Sequence, residues 1–243
     1  MTKAELLYEG KAKKVFRIAD EPNLIWLDYK DSLTAFNAQK KGSFAQKGAI
    51  NCEIASLIFR FLKTHGVKSH WVAHPEPQVM ICERLTMIPL EVVVRNVVAG
   101  SLAKKSGVDE GAPIEPALVE FYFKNDELGD PFISDDQALY LKCVAQASDL
   151  ESLKAQARLV NQALQTFFKK IGVTLVDFKI EFGRNAKGEI VLGDEITPDS
   201  CRLWDIQTGE RLDKDRFRRD LGRVAESYEE VLGRVRKTWG SEL

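Results

Sequence analysis

The chain has 243 residues, of which 44% are hydrophobic and 29% charged, the balance of a folded globular protein rather than a disordered one. Its 35 Lys and Arg side chains against 36 Asp and Glu leave a formal net charge of -1, which excludes a general pull toward nucleic acid or anionic membrane but not a local cluster that grips a small anion. The most apolar stretch, Val92 to Val98, is interrupted by Arg95 and Asn96 and is too short to span a bilayer.

The N-terminal region reads as short strands, with Lys3, Glu5 and Glu9 breaking any run that could act as a secretory leader. Leu6-Leu7-Tyr8 and Val15-Phe16-Arg17-Ile18 flank Glu9-Gly10-Lys11-Ala12-Lys13, a hairpin signal, and Leu24 to Leu27 follows the turn Glu21-Pro22-Asn23. Ile50, Ile54, Leu57, Ile58, Phe61 and Leu62 recur at helical spacing, predicting a helix over 46–64 stopped by Gly66. Trp71-Val72 and Val79 to Cys82 read as strands around a proline-containing loop, and Val92-Val93-Val94 as a further one, followed by a short helix at Leu102 to Lys105. Residues 108–136 are rich in Gly, Pro, Asp and Asn and read largely as loop.

Ser148-Asp149-Leu150-Glu151 fits a capping box opening a helix whose apolar face runs from Leu153 to Ile171 and ends at Gly172. Thr174 to Phe182 and Glu189 to Asp194, joined by a polar glycine-bounded turn, predict an antiparallel hairpin. A closing helix is expected from Phe217 through Leu221, Val224, Tyr228 and Val231 to Val235. The fold class is therefore α+β, antiparallel sheets with long packing helices. Cys52, Cys82, Cys143 and Cys201 are far apart, with no C-x-x-C pair, and read as reduced thiols of a soluble cytoplasmic protein.

Four stretches are candidates for chemistry, the last two set against a solvated strand face and a proline-started loop that packs Trp204 and forms a surface ion pair. In Glu9 to Lys13, an extended backbone puts Lys11 and Lys13 on one side, and Gly10 lets backbone N–H groups approach a phosphate; a solvated surface hairpin is the plainer alternative. Arg95 lies inside an apolar run, where a charge requires an anionic partner, and Ser101 stands at a helix start; together they suit a phosphomonoester, or else a salt bridge and an N-cap. Alternation places Asp177, Lys179 and Glu181 on one face of a strand and Phe178, Ile180 and Phe182 on the other. With Gly193-Asp194-Glu195 on the partner strand, this hairpin offers carboxylates for Mg²⁺ and a lysine for an anionic substrate; the turn leaves open whether Asp194 or Glu195 faces Glu181. Thr197 to Asp205 follows at once: Arg202 has a fork for phosphate or carboxylate, and Asp199 could bind an amine or orient Arg202. His70 and His74 are four apart, but Pro75 and Pro77 argue against a helix there and no third ligand is nearby, so they do not read as a zinc site, and Ser200 lacks a G-x-S-x-G context.

Taken in order, Tyr8 to Lys13, Val92 to Asn96, Ala99 to Leu102, Leu175 to Gly183, and Gly193 to Glu195 through Arg202 to Asp205 resemble the SAICAR synthetase family over nearly the whole chain, with Lys124-Asn125-Asp126 and Asp130-Pro131 similar to its middle loop. The resemblance implies a two-lobed ATP-binding fold related to ATP-grasp, divided as 1–84 and 85–243. It implies the ATP-dependent joining of carboxyaminoimidazole ribonucleotide to L-aspartate, with ATP as co-substrate and Mg²⁺ as cofactor, no nucleic acid or membrane partner, and a homodimer. Lys11, Lys13 and Lys124 then contact the nucleotide, and Cys82 to Leu85, notably Glu83 and Leu85, flank adenine. Glu181 and Asp194 hold the metal; Arg95, Ser101 and Arg202 grip the ribonucleotide phosphate; Lys179, Asp130 and Asp199 complete the substrate and catalytic set. Asn37 stands where the family usually carries aspartate, and Cys201 where it usually carries serine. Two other classes use the same residues: a small-molecule kinase, which would not require aspartate, and a regulatory nucleotide-binding module, which would bind without turnover.

Overall fold

The computed structural model describes residues 1–35 and 39–242; Asn37 lies outside the described residues. The chain opens with strands β1 (Lys3–Glu9), β2 (Lys13–Ile18) and β3 (Leu24–Tyr29), a small hairpin β4 (Ser32–Ala35) and β5 (Lys40–Ser43), helix α1 (Lys47–Thr64), and strands β6 (Trp71–Glu76) and β7 (Val79–Glu83). These strands, apart from β4 and β5, form an antiparallel sheet in the order β1-β2-β3-β7-β6.

Next come β8 (Thr86–Val97), α2 (Gly100–Ser106), β9 (Pro113–Phe123), β10 (Phe132–Ile133), α3 (Asp135–Tyr140), α4 (Ala147–Lys170), β11 (Val173–Arg184), β12 (Ile190–Gly193), β13 (Cys201–Asp205), α5 (Asp215–Arg218) and α6 (Val224–Trp239). The second sheet runs β10-β9-β8-β11-β12 and is antiparallel too; β13 pairs with the first half of β11, on the edge whose second half is taken by β12. No helix among the described residues is long and apolar enough to cross a membrane.

Strand alternation sorts the second sheet into two faces. Leu90, Val92 and Val94 of β8, Phe121 of β9, and Phe178, Ile180 and Phe182 of β11 are buried in the core beneath α4. The residues between them turn to the opposite face. There Arg95 sits across from Asp177, Val93 across from Lys179 and Glu91 across from Glu181, while Glu120 and Tyr122 stand on the neighbouring β9. The core is continuous from the first sheet through α1, α4 and α6 to the second. Its centre is aromatic: Phe61 of α1 and Trp239 of α6 both pack on Phe167 of α4, the indole stacking at 5.2 Å and 10°.

Three expectations from sequence are corrected. The stretch expected to be largely loop contains β9, because alternation from Ala117 to Phe123 sends Phe121 into the core and Glu120 and Tyr122 to the other face. Helix α4 begins at Ala147 with Gln146 as its cap and no side-chain cap bond; the capping box is at Ser134 and Gln137, opening α3. The closing helix is two helices. Asp220, Gly222 and Arg223 all have positive φ, which no right-handed helix carries, and the Arg216 guanidinium donates to the Leu221 and Gly222 carbonyls freed there.

Candidate active site

The polar face of β8, β9 and β11 floors a cleft of about 630 Å³, roofed by the β1–β2 turn and β4 and closed at its far end by α2, the 194–202 segment and α5. Charged side chains fill it in two groups, one at each end.

The first group is built on the β11–β12 hairpin. Lys179 donates to Glu181 at 2.6 Å and Asp194 at 3.1 Å, with Glu91 3.4 Å away. Burial works against the Lys179 ammonium, but Asp194, Glu181 and Glu91 outweigh it and hold its pKa well above the ordinary lysine value. Lys13 of β2 reaches across to Asp194 at 2.5 Å and also pairs with Glu195. Lys124 pairs with Glu181. Burial opposes ionisation of Asp194 as well, yet Lys13, Lys179 and Lys124 keep its carboxyl well below the usual range. Burial raises the Glu91 pKa despite Lys179, and Glu181 and Asp130 add to the rise.

This geometry answers the question the turn left open. Glu181 pairs in register with Gly193, so Asp194 follows at the end of β12, beside Lys179, while Glu195 is turned to Lys13. Asp194 has a φ of 58°, a left-handed conformation that aspartate tolerates better than most residues. Lys11 is half exposed on the β1–β2 turn and donates to Asp126 at 2.7 Å. Asp130 accepts from the Asn125 backbone N–H and lines the cleft beside Gly129.

The second group is a set of arginines held by carboxylates. Arg95 donates to Glu120 at 2.7 Å, Tyr122 at 3.0 Å and Asp177 at 3.1 Å, and approaches Ser101 Oγ at 3.5 Å. Arg202 donates to the same Asp177 oxygen at 2.7 Å and to Asp215 at 2.9 Å; Asp215 also takes Arg218 at 2.7 Å. Burial disfavours the Arg202 charge, but Asp177 and Asp215 raise its pKa further above the ordinary arginine value. Gly100 lets Arg202 lie against the start of α2, since a Cβ there would stand 2.5 Å from Nη2. Planar forks fixed in this way, beside a serine hydroxyl, suit a phosphate.

Asp199 does not orient Arg202. Its two oxygens accept from Lys47 at 2.5 Å, Asn51 at 3.0 Å and Tyr228 at 2.8 Å, while Arg202 is taken by Asp177 and Asp215. Lys47 is fully buried; it ties α1 to the cleft wall through Asp199, as Tyr228 ties α6. Burial opposes the Asp199 charge, but Lys47 and Lys214 hold the carboxyl down to about 2.

Of the residues singled out from sequence, the structure brings Lys13, Lys124, Lys179, Glu181 and Asp194 into one group and Arg95, Ser101 and Arg202 into the other. Glu83 ends β7 and Leu85 lies on the β7–β8 connection, both outside the cleft lining, and Leu85 packs on Gly183 and Gly193. Missed were Glu91, Glu120, Tyr122, Lys47, Asp215, Lys214 and Arg218. Glu91 and Arg95 are separated by an even number of strand positions, a signal that was available; Lys47 carried none.

A cleft with lysines and carboxylates at one end and clamped arginines at the other, on a mixed α/β fold with antiparallel sheets, defines a protein that handles anionic, phosphate-bearing ligands. The sequence pattern of the SAICAR synthetase family matches residues 6–235. The phosphoribosylaminoimidazole-succinocarboxamide synthase of Wolinella succinogenes is 51% identical over 97% of this chain and 99% of its own, and that of Halalkalibacterium halodurans 54% identical over 97% and 98%. Among solved structures, the phosphoribosylaminoimidazole-succinocarboxamide synthase of Ehrlichia chaffeensis superposes with a TM-score of 0.91 at 39% identity, covering 95% of this chain and 98% of that one. A SAICAR synthetase in complex with ADP superposes at 0.90 and 44% identity, covering 95% and 97%. The chain belongs to the SAICAR synthetase family.

Proposed function

We infer that the protein is the ATP-dependent carbon–nitrogen ligase of purine biosynthesis that condenses carboxyaminoimidazole ribonucleotide with L-aspartate, giving the succinocarboxamide SAICAR, ADP and phosphate. The observation that carries this reading is near-complete coverage by relatives of that name, at about half identity, together with a cleft whose two ends suit a polyphosphate and a phosphomonoester.

A carboxylate is a poor electrophile, so the reaction needs it activated. In the proposed sequence a carboxylate oxygen of the ribonucleotide attacks the terminal phosphorus of ATP and ADP leaves. The aspartate amine then attacks the acyl carbon, phosphate leaves with the C–O bond electrons, and the nitrogen gives up its proton. The protein's part is positioning and electrostatics. Lys11, Lys13 and Lys124 hold the nucleotide phosphates, and Glu83 and Leu85 flank the adenine. Arg95, Ser101 and Arg202 hold the ribonucleotide phosphate. Lys179, with its charge secured by three carboxylates, neutralises the oxygens gathered between the two ends, and Asp130 completes that wall. Asp199 acts through the Lys47 and Tyr228 contacts that fix the cleft wall.

The donor set fits Mg²⁺. Glu181 and Asp194 are hard oxygen donors, a pair of carboxylates that would need the substrate phosphates to complete the shell, and among the described residues each is paired with lysines that phosphates would draw away. When bound, the ion supplies positive charge to the phosphoryl group in transfer. The same reading takes the fold as related to ATP-grasp, with lobes 1–84 and 85–243, and the protein as cytoplasmic and homodimeric.

Activation through an acyl phosphate predicts that ¹⁸O placed in the ribonucleotide carboxylate emerges in the released phosphate, one atom per turnover. Phosphate free of the label would overturn the route through the acyl phosphate.

A further inference from the structure

We propose that His70 is a positioning residue for Asp194, its ring N–H fixing the backbone that aims the Asp194 carboxylate into the cleft. The inference rests on the reading of Asp194 as a Mg²⁺ ligand given above.

The His70 ring nitrogen Nε2 lies 3.0 Å from the Asp194 carbonyl oxygen. A carbonyl only accepts, so Nε2 carries the proton and donates it. The ring is held in place: the residue is 4% exposed, and the Phe59 ring packs against it at 5.5 Å and 69°. The carbonyl it grips belongs to a residue whose φ of 58° lies in the region that side chains with a Cβ rarely adopt. Even for aspartate that conformation carries a cost, which surrounding contacts offset. Here three contacts do so, two on the carboxylate and one on the carbonyl. Lys13 and Lys179 draw the Asp194 carboxylate toward the cleft, and His70 pins the carbonyl behind it.

The backbone of His70 extends the link. Its N–H donates to Leu192 at 2.8 Å, and its carbonyl accepts from Glu83 at 2.7 Å. One residue therefore joins the end of β7, the proposed adenine flank, to β12 and to the backbone of Asp194 that follows it. Substituting the side chain removes only the ring contact and leaves these backbone bonds in place. Among the described residues, the Asp194 carbonyl is the hydrogen-bond partner of this Nε2–H.

The test uses wild type, His70→Gln and His70→Leu. Glutamine's amide nitrogen extends about as far as Nε2 and donates; leucine fills space and does not. ADP binding is measured by calorimetry in excess Mg²⁺ and in EDTA, and steady-state turnover is measured against Mg²⁺ and ribonucleotide concentration. The leucine variant is expected to lose the Mg²⁺-dependent part of ADP affinity by roughly 10- to 100-fold, the range for partners that orient a metal-binding carboxylate. Its ADP affinity in EDTA and its KM for the ribonucleotide stay as in wild type, because the Arg95 and Arg202 clamp does not touch His70. The glutamine variant recovers most of the loss. Equal Mg²⁺ dependence in leucine and wild type overturns the proposal, as does a glutamine variant no better than leucine. Should the leucine variant fail to fold, His70→Asn, too short to reach, set against glutamine gives the same contrast. Asp194→Asn measured alongside separates the two claims: if it leaves Mg²⁺ dependence intact, the metal-ligand reading fails and this inference with it; if it abolishes that dependence while His70→Leu changes nothing, the role of His70 alone fails.

Discussion

Asp177 is the residue on which the arginine end of the cleft turns. One of its oxygens serves both Arg95 and Arg202, so the spacing of the two guanidinium groups is set by a single buried carboxylate. Arg202→Ala removes one fork and leaves Asp177 to Arg95 alone. A hydrogen bond to a charged group contributes about 1.5–3 kcal/mol, so the KM for the ribonucleotide is expected to rise roughly 10- to 100-fold, with the KM for ATP little changed. Arg202→Lys should not restore it, since a point charge cannot meet Asp177 and Asp215 in the plane that Arg202 uses. Steady-state kinetics in both substrates check this.

Lys47 and Asp199 make a second residue-scale case. Removing either partner strands a buried charge, at a cost of roughly 3–5 kcal/mol, whereas removing both is expected to cost less than the sum. Urea denaturation of Lys47→Met, Asp199→Asn and the double variant measures the coupling. The pH dependence has a definite sign. The Asp199 pKa is held at about 2, below its ordinary value of 3.8, so its stabilisation is complete above about pH 4 and is lost as the pH falls through 2. The stability gap between wild type and Asp199→Asn should therefore narrow by about 2 kcal/mol on acidification over that range.

At the scale of elements, alternation along a strand was the most informative signal in the sequence. The period of two in Asp177 to Phe182 places the charged face correctly, and the same rule applied to β8 would have added Glu91 to it. What the sequence could not carry was partnership across the sheet. Glu120 and Tyr122 belong to a segment whose glycines and prolines suggested loop, and only its pairing with β8 brings them to Arg95. Lys47 opens a helix whose apolar pattern is plain, but nothing local says that its ammonium is buried against a loop more than a hundred residues away. The single closing helix failed for a related reason: apolar spacing continues across 219–223, while the backbone there turns left-handed. Helix α2 provides a test at this scale. Gly100 combines a φ of 56° with no room for a Cβ beside Arg202. Gly100→Ala is expected to displace the guanidinium and raise the ribonucleotide KM by about tenfold, with ATP binding retained, on the scale of one lost charge-assisted bond. Unchanged kinetics would mean that the clamp yields without cost.

Across the whole molecule, the first sheet contributes lysines at the roof of the cleft and the second sheet contributes carboxylates and arginines at its floor, with one continuous core beneath both. The two ends of the cleft are chemically distinct: lysine–carboxylate pairs suit a polyphosphate with its metal, and clamped arginines suit a phosphomonoester. A phosphoryl-transfer enzyme with a single acceptor would use the same groups, and what sets a ligase apart is that turnover waits for the amine. The most direct measurement is ADP release by the purified protein with Mg²⁺-ATP and carboxyaminoimidazole ribonucleotide, with and without L-aspartate. The account predicts sustained release only when both substrates are present, matched one to one by the succinocarboxamide; sustained release without aspartate, or binding of ATP with no turnover under any combination, would contradict it.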